Sequence, residues 1–317
     1  MTKNKKIPGY LSLHQSGELH GRIAGLTAIL EKCTLCPRRC QVNRLAGETG
    51  YCRTGSRAVV ASYNAHFGEE SCLVGTGGSG TIFFSHCNLG CVFCQNYGIS
   101  HEGEGIEVDG GQLAAIMVSL QKQGCHNINL VTPSHVVPQI VAALPAAIEK
   151  GLELPLVYNS SGYDAVETLR LLAGIVDIYM PDFKFWSSKS AKRLANAPDY
   201  PDQARKALTE MHRQVGDLQL DSDDIACKGL LVRHLVMPGG LPETREIMNF
   251  LAGLSARTYV NVMEQYRPLF HAGNFPPIDR PLHPEEYEQA LRCARQAGLT
   301  RLEQHGFLHL LKKMMQV

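Results

Sequence analysis

Seven of the eleven cysteines fall into two groups whose spacing suits metal chemistry. Cys87, Cys91 and Cys94 stand in SHCNLGCVFC, directly after an apolar stretch. Thiolates are soft ligands that hold iron–sulfur clusters, and a four-iron cluster normally takes four of them. Three close cysteines therefore leave one iron open. The competing readings are three buried thiols, or a zinc site, which normally wants a fourth protein ligand nearby; His86 stands where it could supply one. The other group, CTLCPRRCQVNRLAGETGYC, holds Cys33, Cys36, Cys40 and Cys52. Two closely spaced thiolate pairs separated by the Gly-rich turn GETG can fold back around one tetrahedral metal. A structural zinc, a single iron and an iron–sulfur cluster all accept four cysteines, so zinc and iron both stay open. Cys72, Cys125, Cys227 and Cys293 are scattered and read as small core residues. Cys72 alone lies close enough before the triplet to serve as a thiol near a substrate.

Such ligands need a scaffold, and beyond residue 75 short apolar strands alternate with helical stretches in the pattern of parallel βα units. The expected strands are 81–86, 127–132, 156–159, 176–181, 229–237 and 259–265, enough for an α/β fold with an incomplete barrel. The intervening segments GGQLAAIMVSLQKQG, VVPQIVAALPAAIEKG, DAVETLRLLAG and LPETREIMNFLAGLS carry apolar residues at three- and four-residue spacing and mostly end at glycine. Residues 185–227, rich in Lys, Asp and Arg, read as one or two exposed helices. Two regions follow: 1–74, with the cysteine-rich metal module, and 75–317, the barrel with a C-terminal helical extension.

The chain has 317 residues, and 31 Lys and Arg nearly cancel 30 Asp and Glu. No global field draws it to nucleic acid or to an acidic membrane surface. The basic opening MTKNKK is followed by no apolar core of a secretory signal, and no apolar run is long enough to span a bilayer. So many cysteines in an unsecreted chain indicate metal and redox chemistry in a reducing compartment, and the expected location is the cytoplasm.

CxxxCxxC with Phe93 just before its last cysteine closely resembles the signature of the radical SAM superfamily. The resemblance covers roughly residues 75–270 and is strongest to the pyruvate formate-lyase activating enzyme branch. QNYGIS (95–100) resembles that branch's continuation after the cysteines, NSSG (159–162) its polar motif after the third strand, MPDFK (180–184) its Met-x-Asp-x-Lys motif, and RHLVMPGG (233–240) its Arg-containing fifth strand. The pattern CxLCPRxCxVNRxxGxxGxC ahead of such a core is similar to proteins named pyruvate formate-lyase activating enzyme-like. The resemblance implies a partial (β/α)6 TIM-type barrel and a [4Fe-4S] cluster on Cys87, Cys91 and Cys94. It further implies S-adenosylmethionine chelated at the open iron and cleaved to a 5′-deoxyadenosyl radical by an electron from a flavodoxin- or ferredoxin-type reductant. Lys184 and Arg233 would meet the cofactor carboxylate, and Asp182 with Asn159 and Ser160 would bind a monovalent cation. Phe93 and Gln265 complete the residues set against the cofactor.

These roles agree with strand geometry. Every second side chain of an extended strand shares a face, so Met180, Asp182 and Lys184 can project together, and Asn261, Met263 and Gln265 likewise. A carboxylate beside an ammonium suits a zwitterionic ligand. One departure concerns LVTPSH (130–135), where the family usually presents Gly-Gly-Glu to the cofactor amino group. Thr132, Ser134 or a backbone carbonyl would have to accept that hydrogen bond, and His135 reads as the solvated start of the next helix or as a pocket residue. The implied reaction is hydrogen abstraction from a protein or peptide, as in glycyl-radical activation. The rivals are radical modification of a small metabolite or RNA, and a metal-binding adaptor without catalysis.

Overall fold

The structure, a computed structural model, describes residues 7–303. Two helices, α1 (Gly9–Gln15) and α2 (Glu18–Ala28), precede the cysteine-rich loop. Strand β1 (Ala58–His66), the single turn α3 (Ser71–Val74) and β2 (Ser79–Phe84) then lead to the three-cysteine loop, which ends at β3 (Ile106–Val108). Helices and strands alternate through α4 (Gly110–Lys122), β4 (Ile128–Val131), α5 (Val137–Glu149), β5 (Leu156–Ser160), α6 (Val166–Leu171) and β6 (Ile178–Pro181). An excursion through α7 (Ser188–Ala195), α8 (Tyr200–Val215) and β7 (Gln219–Leu220) returns at β8 (Ala226–Leu235). The described chain closes with α9 (Leu241–Leu254), β9 (Tyr259–Met263), α10 (Pro284–Gln296) and β10 (Arg301–Leu302). Among the described residues no helix is long and apolar enough to cross a membrane.

Strands β2, β4, β5, β6, β8, β9 and β10 lie side by side and parallel, in that order. The antiparallel strands β1 and β3 extend the sheet beyond β2. The path runs from β10 to β3 without joining, so the barrel is partial. The six expected strands are β2, β4, β5, β6, β8 and β9. Being covered on both faces, they read as short apolar runs rather than alternating ones. The helices obey local rules: α4 starts at a capping box in which Asp109 Oδ1 accepts from Gln112 N at 2.8 Å and Gln112 Oε1 accepts from Asp109 N at 2.9 Å. The 185–227 segment forms two helices, but α8 is not simply exposed. It buries Tyr200, Ala204, Ala207, Leu208 and Met211 against the barrel, because its apolar residues recur at helical spacing among the charges.

Register decides what faces inward. Phe83 pairs with Val131, Val131 with Asn159 and Asn159 with Met180, while Asp182 bridges to Arg233 and Arg233 pairs with Asn261. At and below this level the interior also holds apolar side chains, with Val157, Ile178, Met180 and Leu231 packed together. Cys72 and Leu73 of α3 belong to the same cluster, so Cys72 is a packing residue. At the strand ends the inward positions turn polar, which is where loops converge in such barrels.

Gly162, just after β5, adopts φ +75°, and a Cβ on it would overlap the Asp182 carbonyl oxygen. Two strand-end loops thus touch through bare backbone. Gly162→Ala is expected to cost on the order of 3 kcal/mol or more, whereas Gly124→Ala, also at positive φ (90°) but facing open space, should cost on the order of 1 kcal/mol. Urea denaturation midpoints measure both, and equal losses would remove the close approach as a constraint.

Candidate functional site

The three-cysteine loop is held by parts of the chain far away in sequence. Gly90 N donates to Ala195 O at 3.2 Å and Val92 N to Leu194 O at 2.9 Å, both at the end of α7, and His271 N donates to Val92 O at 2.9 Å. Gly90 also lets the N-terminal region approach, since a Cβ there would run into the Tyr51 hydroxyl. Asn88, fully buried, donates from Nδ2 to Tyr163 O at 2.7 Å, and its own carbonyl accepts from Arg38 Nε at 2.9 Å. Leu89 N donates to Cys87 Sγ at 3.3 Å, and Cys94 Sγ lies 3.0 Å from Ser100 Oγ. Burial pushes the Cys87 thiol up to about 12 and raises that of Cys91 as well. Thiolate formation here therefore calls for a strong positive partner, which a coordinated metal supplies.

Cys87, Cys91 and Cys94 line one side of a cavity of about 750 Å³. The side chains singled out from the sequence line the same cavity: Phe93 beside the cysteines, Asn159 and Ser160 from β5, Asp182 and Lys184 after β6, Arg233 from β8 and Gln265 after β9. Phe93 packs against Phe185 and Tyr266 with ring centroids 6.1 Å apart in each case. Lys184 Nζ donates to Asp182 Oδ2. Burial works against the lysine charge, but attraction from Asp182 and Cys91 outweighs it and its pKa is raised. The backbone between them is pinned by Tyr200, whose hydroxyl accepts from Lys184 N at 2.9 Å and lies 2.9 Å from Ser161 O and 3.1 Å from Asp182 O. Behind the same segment His234 places Nδ1 2.7 Å from Phe183 O and Nε2 2.9 Å from Thr244 Oγ1. Ser160 Oγ donates to the buried Asp164 at 2.6 Å.

Two of the acids at this cavity pair with Arg233 and escape any local reading of the sequence. Glu69 and Glu70, between β1 and α3, both reach Arg233. Nε of Arg233 donates to Glu70 Oε1 at 2.7 Å and Nη2 to Glu70 Oε2 at 2.6 Å, and Asn261 Nδ2 adds a bond to Glu70 Oε1 at 2.7 Å. Arg233 Nη1 makes no hydrogen bond among the described residues. Glu70 is wholly buried, which alone would raise its carboxyl, but Arg233 and Asn261 overcome this and hold it below the usual carboxylate range. The partners of Arg233 lie more than 160 residues away, so neither spacing nor strand alternation reveals them.

Cys33, Cys36, Cys40 and Cys52 line a second, small cavity. Their loops fold back as expected, with Cys33 N bonded to Val42 O at 3.0 Å and Gln41 N to Cys33 O at 2.9 Å. A Cβ on Gly50 would stand 2.7 Å from Cys40 Sγ, so that glycine admits the thiol. Burial, with Cys52 and Cys33 adding to it, pushes the Cys36 thiol up to about 12 against hydrogen bonds from the Arg38 backbone and the Asn88 side chain. Among the described residues no three His, Cys, Asp or Glu side chains are drawn together as a ready single-ion site. His135 is neither solvated nor in the large cavity. It is 1% exposed and lines the small one.

Residues 81–251, more than half of the chain, match the Radical SAM superfamily, and the chain belongs to that superfamily. Uncharacterized protein MJ0674 of Methanocaldococcus jannaschii is 34% identical over 279 residues, covering 86% of this chain and 76% of that protein. Similar solved structures include native anSMEcpe with bound AdoMet, with a TM-score of 0.48, 8% identity, and coverage of 69% of this chain and 61% of that one. Another is Streptococcus suis SuiB bound to precursor peptide SuiA, with a TM-score of 0.48, 14% identity, and coverage of 73% and 49%. The chain thus spans less than two thirds of either of these two proteins. Membership brings a [4Fe-4S] cluster and S-adenosylmethionine as cofactors. The residues present fit them: three thiols, that of Cys91 buried and those of Cys87 and Cys94 half-buried, open onto one cavity together with a carboxylate and an ammonium.

Removing one partner of a buried ion pair leaves the other charge stranded. Arg233→Ala is therefore expected to destabilise the fold by about 3–5 kcal/mol in chemical denaturation. Because the Glu70 carboxyl is depressed in the folded state, its contribution is complete above its unfolded pKa, roughly 4.3, and is lost as pH falls towards the folded value. Melting temperature followed from pH 7 to pH 3 should fall less steeply in Glu70→Gln than in the parent. Parallel profiles would show that the pair does not govern acid stability.

Proposed function

We propose that the protein is a radical enzyme acting on a protein or peptide, in the manner of the glycyl-radical activating enzymes. The observation that carries this reading is the single cavity onto which Cys87, Cys91 and Cys94 open together with Lys184, Asp182 and Arg233. When bound, the cluster and S-adenosylmethionine would supply the hydrogen-abstracting radical chemistry. The chain's own residues bind and orient. Lys184 offers an ammonium to the cofactor carboxylate, and Arg233 has Nη1 left for the same group. Asp182 with Asn159 and Ser160 is assigned a monovalent cation, and Phe93 and Gln265 wall the pocket. The cavity falls within the usual size of a ligand site, and its lining mixes apolar walls with a few convergent polar groups. The motifs QNYGIS, NSSG, MPDFK and RHLVMPGG support the activating-enzyme branch, and a flavodoxin- or ferredoxin-type protein is the assigned reductant. Region 1–74 is read as carrying a metal-bearing module in which Cys33, Cys36, Cys40 and Cys52 hold zinc or an iron centre, while its last part, β1 and α3, belongs to the barrel itself.

Anaerobically reconstituted protein is expected to release 5′-deoxyadenosine when reduced, and Cys91→Ala to release none. Lys184→Ala should keep its iron and bind S-adenosylmethionine roughly tenfold to hundredfold more weakly, the cost of a charge-assisted hydrogen bond of about 1.5–3 kcal/mol. Deuterium carried into 5′-deoxyadenosine from a co-purifying protein grown in deuterated medium would identify the substrate class. Label arriving only from a small metabolite or from RNA would overturn the peptide assignment.

A further inference from the structure

The cavity of the four N-terminal cysteines has one wall that comes from the barrel. His135, in the loop between β4 and α5, lines it beside Cys33, Cys36 and Cys52. Its Nε2 lies 2.8 Å from the Ser85 carbonyl oxygen. A carbonyl only accepts, so Nε2 carries the proton and Nδ1 of the neutral ring keeps its lone pair. That Nδ1 is buried and has no hydrogen-bond partner among the described residues. Metal-bound histidines are held in this way, the second ring nitrogen donating to a backbone carbonyl that fixes tautomer and orientation.

The charge of the cavity independently points to thiolates, and so to a metal, in this place. Arg44 is 1% exposed and also lines it. All its hydrogen bonds go to carbonyl oxygens: Nε and Nη2 to Gly55 O at 3.0 and 2.8 Å, and Nη1 to His135 O at 2.9 Å. Carbonyls satisfy the donors of a buried guanidinium without neutralising it, whereas thiolates held around a metal would offset its charge.

We propose that His135 is a ligand, through Nδ1, of a zinc or iron centre seated among Cys33, Cys36, Cys40 and Cys52. The centre is then shared between the N-terminal region and the barrel. This rests on the reading of those cysteines as a metal site and is independent of the radical reaction. It also ties the centre to the cluster loop on both sides of Cys87: Ser85 holds the histidine, and Arg38, in the wall of the same cavity, donates to the Asn88 carbonyl at 2.9 Å.

The test uses the full chain with Cys87, Cys91 and Cys94 replaced by alanine, so that cluster iron is not counted. Elemental analysis should find one kind of metal, zinc or iron, and X-ray absorption at its edge should show nitrogen together with sulfur in the first shell. His135→Gln keeps a donor for Ser85 O but has no lone pair in the place of Nδ1. It should lose the metal to a chelator roughly tenfold or more readily, and after cobalt(II) substitution its visible spectrum should shift towards that of an all-sulfur site. A sulfur-only shell in the unsubstituted cavity, a measurement that does not depend on any histidine variant folding, would overturn the assignment and leave a four-cysteine site standing. Unchanged retention and an unchanged cobalt spectrum in folded His135→Gln would overturn it too. Absence of metal would overturn both the ligand and the four-cysteine reading, while deoxyadenosine release by the parent protein would be unaffected.

Discussion

The pairing of Arg233 with Glu70 joins parts of the chain that the sheet leaves apart. The strand path ends at β10 on one side and β3 on the other. Glu70 leads into α3, whose Cys72 and Leu73 pack inside the barrel against residues of β5, β6 and β8. A guanidinium on β8 and an amide on β9 close on that carboxylate. Burying such a pair is a net gain only when its hydrogen bonds are nearly complete. Here both oxygens of Glu70 are bonded, and Glu69 adds a second carboxylate to the same guanidinium. The wall of the large cavity and the packing beneath it therefore depend on one another, and a change of charge at either acid is felt in both.

A second constraint acts on the cysteines. Burial drives the thiols of Cys36, Cys87 and Cys91 towards the protonated form. Protonated thiols are poor ligands, so metal binding must drive deprotonation, and the binding energy becomes folding energy for the loops concerned. The structure meets this with cations placed close by: Lys184 lowers the cost for Cys87 and Cys91, and Arg44 lies in the wall of the other cavity. The loop of Cys87–Cys94 is further fixed by backbone bonds to α7 and to His271, so its conformation does not rely on the metal alone.

The parallel strands were legible because a strand covered on both faces needs an apolar run, and glycines and prolines bound it. The alternation in MPDFK also carried through, since Asp182 and Lys184 line one cavity. What could not be read were relations set by distant chain. Strands β7 and β10 are two residues long, too short for any periodic signal, and β1 gains its place only by pairing with β2. Arg233 reads as a cation offered to the cofactor carboxylate, and its pairing with Glu69 and Glu70 emerges only when they are folded against it. His135 follows a proline-containing turn and looks like the start of a helix in water. It is buried because the cysteine-rich loop packs over it, with Arg44 bonded to its carbonyl.

That burial also bears on the course of the loop after β4. LVTPSH brings no acid to the large cavity; it sends Thr132 there, at φ +60°, and turns Ser134 and His135 away into the interior. A left-handed threonine is costly and persists only where its surroundings over-determine it. Here Thr132 N is held by Asn159 O at 2.9 Å, while three residues later His135 is fixed through both its ring and its carbonyl. The loop is thus stretched between two demands, one from the strand beside it and one from the N-terminal region behind it. A carboxylate in place of Thr132 would face the large cavity alone, whereas the loop as it stands puts Thr132 on the large cavity and His135 on the small one, so its path is set from both sides.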